Sequence, residues 1–152
     1  MLQIEHVSKT FNPGTINEKK ALIDLNVSLK DGDFATIVGS NGAGKSTMFN
    51  AITGAFYVDE GEIVLDHENI TYKQEHLRSR SIGHLFQDPL LGTAPHMTIE
   101  ENMSLAYLRA SNSRHSFWGR SRKKERDFFR EQLSLLDMGL EDCMKNPVGL
   151  LS

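Results

Sequence analysis

Leu2-Gln3-Ile4-Glu5-His6 alternates apolar and polar side chains, the period of a half-buried strand. Leu25, Val27 and Leu29 repeat that period, and Asn12-Pro13-Gly14 between the two runs marks a loop. Lys30-Asp31-Gly32-Asp33 carries a tight-turn signal. The pattern predicts an antiparallel strand pair leading into a short buried strand over 33–38, which is apolar and β-branched. A helix is expected over 45–52, stopped at Gly54. Further on, Asp59-Glu60-Gly61 reads as a turn, 62–65 as a strand, and 66–69 as a polar turn. Residues 74–80 read as a short helix and 81–86 as a second core strand. Pro89, Gly92 and Pro95 make 88–96 a loop.

From Thr98 the period changes. Thr98 with Glu101 three residues later forms a capping box. Ile99, Met103, Ala106, Tyr107 and Ala110 then fall on one helical face. Residues 111–119 are polar around one Phe-Trp pair and read as a loop. A second helix is expected from about Arg122 to Leu136, with Phe129, Leu133 and Leu136 on its buried side. Gly139, Pro147 and Gly149 make the last segment irregular. The organisation is α/β over 1–87 and helical over 88–152, with no internal repeat.

Between the predicted strand and helix stands Gly39-Ser40-Asn41-Gly42-Ala43-Gly44-Lys45-Ser46-Thr47. It fits G-x-x-x-x-G-K-[ST], the phosphate-cradling P-loop, and strand–loop–helix is the context that motif requires. A helix's first turn has unpartnered N–H groups and the positive end of the macrodipole, so anions settle there. Gly42 and Gly44 open backbone angles closed to other residues. Lys45 is expected to reach the β- and γ-phosphates, Ser46 to offer its hydroxyl to Mg²⁺, and Thr47 to bond the α-phosphate.

The 152 residues carry 39% hydrophobic and 24% charged side chains, a globular balance. No apolar run reaches the roughly 18 residues needed to span a bilayer, and Gln3, Glu5, His6 and Lys9 interrupt any signal-peptide core. A single cysteine, Cys143, allows no internal disulfide and reads as a packed thiol in a cytoplasmic protein. The net charge of −3 argues against wholesale nucleic-acid binding. Arg109, Arg114, Arg120, Arg122, Lys123, Lys124 and Arg126 nevertheless form a basic stretch around Phe117 and Trp118. A solvated helix face, contact with anionic lipid or a membrane partner, and nucleic acid are the three readings it admits. His96 has no second ligand at metal-binding spacing.

Together these residues resemble the ATP-binding subunits of ABC transporters, over essentially the whole chain. The resemblance implies an ABC-type P-loop ATPase fold with an N-terminal antiparallel strand region and a helical subdomain. It implies ATP and Mg²⁺ as ligands. Phe11, in Val7-Ser8-Lys9-Thr10-Phe11, matches the family's adenine-stacking aromatic, against the plainer reading of an aromatic in a core cluster. Gln87, in Leu85-Phe86-Gln87-Asp88-Pro89, matches the Q-loop glutamine, whose amide oxygen reaches Mg²⁺ and the attacking water. Thr98-Ile99-Glu100-Glu101-Asn102 is wording typical of the family.

Leu151-Ser152 matches the first two residues of the family's Leu-Ser-Gly-Gly-Gln signature. The sequence is therefore expected to be the N-terminal part of a longer ATPase. The signature glycines, the Mg²⁺-positioning aspartate, the carboxylate base and the switch histidine have no counterpart in it. Turnover by these residues alone is accordingly expected to be inefficient. The partners implied are a membrane permease at the cytoplasmic face, a second ATP-binding subunit and a solute-binding protein, with no nucleic acid. Leu90, Leu91, His96, Met97 and Tyr107 are candidate permease contacts. Import of a small solute, with an amino acid as the candidate, is the expected task. A soluble ABC-type ATPase of DNA repair or translation is the alternative, and the coiled-coil or zinc insertions that would favour it are not visible.

Overall fold

A computed structural model describes residues 1–111 and 123–151. The chain forms two compact units, Met1–Ile82 and Gly83–Ser152.

In the first unit β1 (Leu2–Phe11) and β2 (Lys19–Leu29) pair antiparallel, as their alternation predicts, with Leu2 opposite Leu29 and Phe11 opposite Lys19. β3 (Glu60–Leu65) and the short β4 (Glu68–Asn69) complete a sheet of order β2-β1-β3-β4. Its inner face carries Ile4, Val7, Leu22 and Ile63, all buried. The helix α1 (Lys45–Thr53) covers that face with Ala51, Met48 and Ile52, and Val58 and Ile70 close the cluster. Ile4 and Val7 lie three residues apart, so strict alternation cannot put both inside. A register shift between them absorbs the extra residue, with His6 at φ 52°.

Glu60 and Gly61, expected in a turn, open β3 instead. Gly61 has φ 86°, and a Cβ there would lie 2.4 Å from the backbone oxygens of Glu5 and His6. Backbone cannot step aside cheaply, and the left-handed angle adds its own penalty. Gly61→Ala is therefore expected to destabilise the unit by about 2–4 kcal/mol. A shift below about 0.5 kcal/mol in urea denaturation would count against this packing.

The two expected core strands are absent. Residues 33–38 and 81–86 run without strand pairing, and Phe34 is 95%, Val38 90% and Leu85 97% exposed. A strand exists only through a neighbour's ladder. Among the described residues no strand pairs with either segment. Their composition asks for burial that local structure does not supply. We expect the 152-residue polypeptide to self-associate through them; monomeric mass near 17.1 kDa in light scattering across a concentration series would refute this.

The predicted helix at 74–80 shrinks to α2 (Glu75–Arg78). In the second unit α3 (Ile99–Ala110) and α4 (Lys123–Ser134) pack around Ile99, Phe129, Leu133 and Met144. The capping box forms as expected: Glu101 N–H donates to Thr98 Oγ1 at 3.2 Å, and Thr98 N–H donates to Glu101 Oε2 at 2.8 Å. Thr98→Ala is expected to cost about 1 kcal/mol, read as a lowered urea midpoint. The Thr98 N–H, and the Thr98 hydroxyl that donates to the same Glu101 Oε2 at 2.9 Å, hold the Glu101 carboxyl below its usual range, so the cap's contribution is present above the ordinary pKa and fades as pH falls through the lowered one.

Part of the expected apolar face of α3 and one expected burial on α4 stay exposed. Ala106 and Ala110 are exposed, because the buried partners of α3 cluster around Ile99 and Met103 in its first half. Leu136 is also exposed, since α4 ends at Ser134 and Asp137 turns the chain at φ 52°. Cys143 packs half-buried against this core, its Sγ 3.6 Å from the Leu140 carbonyl. The expected loop at 111–119 lies, beyond Ser111, outside the described residues, as do Arg114, Phe117, Trp118, Arg120, Arg122 and Ser152.

Candidate functional site

The glycine loop leads straight into α1, which has Gly44 as its N-cap at φ 89° and ψ 0°. No side chain caps this end, and the first turn holds no acidic residue. The N–H groups of Lys45, Ser46 and Thr47 are thus left for a ligand. Gly44 is required twice. Its angle is left-handed, and a Cβ would sit 2.6 Å from the Ala21 carbonyl oxygen on β2. Gly42 is also left-handed, at φ 86°, but faces open space. Within the loop, Ala43 N–H donates to the Ser40 carbonyl at 3.2 Å. The Lys45 ammonium folds back onto the Gly39 carbonyl and, at 2.8 Å, the Ser40 carbonyl.

These residues bound a cavity of about 280 Å³ lined by Lys19, Asn41, Gly42, Gly44, Lys45, Ser46 and Thr47. It offers two cations, two hydroxyls and a row of backbone donors, and its lining carries no carboxylate. That donor set fits a polyphosphate. A magnesium ion carried with it would find one hard oxygen in Ser46, in keeping with an ion that binds through few protein ligands and the substrate's own phosphates. Gly39 and Ala43, the other loop residues singled out by sequence, support the turn: a Cβ on Gly39 would lie 3.2 Å from that of Ala43.

Lys19 is the residue that sequence reasoning missed. It carries no motif, and only the β1–β2 ladder brings it to the loop.

At the opposite end of α1 stands Arg78, 2% exposed. Its guanidinium donates to the carbonyls of Ala51 at 2.7 Å and Ile52 at 3.0 Å, and to those of Thr71 at 2.8 Å and Lys73 at 2.9 Å. Two of these are orphan carbonyls of the helix's last turn. A positive charge there complements the dipole whose other end faces the cavity.

Phe11 is half-buried and packs edge-on against Phe56, with ring centroids 5.3 Å apart and an interplanar angle of 82°. The Lys9 ammonium stands 5.8 Å from its centroid. Asp59 anchors this corner, accepting from Lys9 Nζ at 2.6 Å and Thr10 N–H at 2.7 Å. The Lys9 bond, then the Thr10 bond, hold the Asp59 carboxyl below its ordinary pKa of 3.8. Stability from this corner is therefore present above 3.8 and lost as pH falls through the lowered value. We expect Asp59→Asn to flatten the acid limb of the stability–pH curve; an unchanged limb would refute the linkage.

Gln87 belongs to the second unit, exposed and outside helix and strand. Leu90, Leu91 and His96 are exposed on the same unit. Met97 is half-buried, and the Tyr107 ring packs against Phe128 and Phe129 at 5.7 and 5.8 Å. Of the basic stretch, Arg126 pairs with Glu100 at 2.5 Å, while Arg109, Lys123 and Lys124 are exposed. Among the described residues no helix is long and apolar enough to cross a membrane.

A family model described as ABC transporter matches residues 22–152. The tyrosine transport ATP-binding protein of Clostridioides difficile is 45% identical over 107 residues, which are 70% of this chain and 42% of that protein. The choline transport ATP-binding protein of Bacillus subtilis is 36% identical over 97% of this chain and 35% of its own length. A solved ATP-binding cassette, dimeric in a post-hydrolysis state with ADP and Pi, superposes with a TM-score of 0.80 at 27% identity. It covers 100% of this chain, which spans 63% of that cassette. The chain thus spans well under half the length of these two curated relatives.

Proposed function

The chain belongs to the ABC transporter family, with the α/β P-loop fold of its ATP-binding cassettes, and we propose that it binds ATP with Mg²⁺ as the energy-supplying part of a small-solute importer. The observation that carries the reading is the acid-free cavity at the α1 N-terminus, where Gly44 lies against β2 and Lys45 and Ser46 line one wall.

In this reading Phe11 stacks on adenine at the end of β1. The backbone from Gly39 to Thr47 wraps the phosphates. Lys45 leaves the Gly39 and Ser40 carbonyls for the β- and γ-phosphates. Such a swap exchanges neutral acceptors for anionic ones and favours the bound loop. Ser46 and Gln87 are the residues that would hold a magnesium ion, which would supply charge neutralisation on the terminal phosphates; Gln87 would also orient the attacking water. Phosphoryl transfer to water requires positioning and charge stabilisation, and Lys45 with Gln87 are the two groups these residues offer. The 152-residue polypeptide is therefore proposed to bind ATP while turning it over slowly. Brisk turnover that Lys45→Ala abolishes would overturn that part.

The partners proposed are a membrane permease, a second ATP-binding subunit and a solute-binding protein, which would place this chain peripherally at the cytoplasmic face. The exposed Leu90, Leu91 and His96 are the proposed permease contacts. The solute is proposed to be small and polar or zwitterionic, as the tyrosine and choline named for the relatives suggest. The test is a titration of the protein with a fluorescent ATP analogue and competition by ATP, with and without Mg²⁺. Saturable binding displaced by ATP supports the reading, and no binding refutes it.

A further inference from the structure

Lys19 sits in a position that the loop motif does not account for. The ladder sets it directly opposite Phe11, and it lines the same cavity as Asn41, Gly44, Ser46 and Thr47. It is exposed, and among the described residues no carboxylate pairs with it. Lys45, by contrast, is already engaged with two carbonyls of the loop. β2 approaches the loop closely enough that Gly44 nearly touches Ala21, two residues on from Lys19. The start of β2 is thus the wall of the cavity on the side of the proposed base site.

We infer that Lys19 is a nucleotide-binding residue whose ammonium contacts the phosphate nearest the nucleoside. The inference rests on the reading of Phe11 and the glycine loop as the ATP site. A nucleotide with its base on Phe11 and its terminal phosphates in the loop carries its α-phosphate between the two, and Lys19 is the cation between them. A lysine there acts as a flexible point charge with three donors. Its contact is shared by ATP and ADP, whereas that of Lys45 depends on the terminal phosphates.

The test is a titration of wild type, Lys19→Met, Lys19→Arg and Lys45→Ala with ATP and with ADP, at low and high salt. Methionine keeps the length and packing of the stem while removing the charge. Lys19→Met is expected to weaken ATP and ADP by a like factor, about five- to tenfold, and to make affinity less sensitive to salt. Lys19→Arg should stay near wild type. Lys45→Ala should penalise ATP more than ADP. Lys19→Gln serves as a second neutral variant if methionine promotes association at this exposed position. Unchanged affinity in both neutral variants overturns the inference, and so does weakening of ATP alone, which would move Lys19 to the terminal phosphate. Wild type that binds neither nucleotide overturns the reading of the loop itself.

Discussion

Arg78→Ala is expected to lower the unfolding free energy by about 3–5 kcal/mol. The side chain is 2% exposed, and its guanidinium satisfies the carbonyls of Ala51, Ile52, Thr71 and Lys73. Truncation leaves buried acceptors without donors, each costing about 1–3 kcal/mol, and it opens a cavity beside Gly54, whose Cβ position lies 2.7 Å from Arg78 Nε. Arg78→Lys should recover only part of the loss, because an ammonium cannot span four acceptors that a planar fork reaches together. Burial lowers the Arg78 pKa, but a guanidinium stays charged in proteins, so the comparison measures geometry and not protonation. Urea midpoints with an unchanged slope give the answer. A loss under about 1 kcal/mol would mean that water reaches these carbonyls.

The second large effect falls on binding. Lys45→Ala is expected to weaken ATP by about 100-fold, the equivalent of about 3 kcal/mol for charge-assisted contacts to phosphate. The variant should melt close to wild type in the absence of nucleotide, since the bonds it removes, to the Gly39 and Ser40 carbonyls, are exposed. Thermal shift with and without ATP separates the two: ligand stabilisation should vanish while the unliganded midpoint holds. ATP affinity within threefold of wild type would refute the proposed role of Lys45.

Much of the local structure was legible along the chain. The strand pair, the glycine loop with its helix, the Gly54 stop and the Thr98–Glu101 box all form where their residues point. Each depends on neighbours within a few positions or on a turn that brings two adjacent runs together. The two missing core strands share one cause. Phe34, Ile37, Val38, Leu85 and Phe86 have the composition of core strands yet remain exposed, because pairing and burial need partners distant in sequence. Register is the other blind spot. The shift between Ile4 and Val7 cannot be seen in a two-residue period, and it is what keeps both inside.

The sequence by itself determined the chemistry of the loop from Gly39 to Thr47, since the spacing of two glycines, a lysine and a hydroxyl before a helix specifies an anion cradle from backbone geometry alone. Tertiary structure alone decided what stands around it. It set β2 against Gly44, brought Lys19 into the cavity wall opposite Phe11, and ran Arg78 to the far end of α1. The reason is range: a helix N-terminus is built by residues in one turn, whereas a cavity wall and a buried guanidinium are built by strands and loops that meet only when the chain packs.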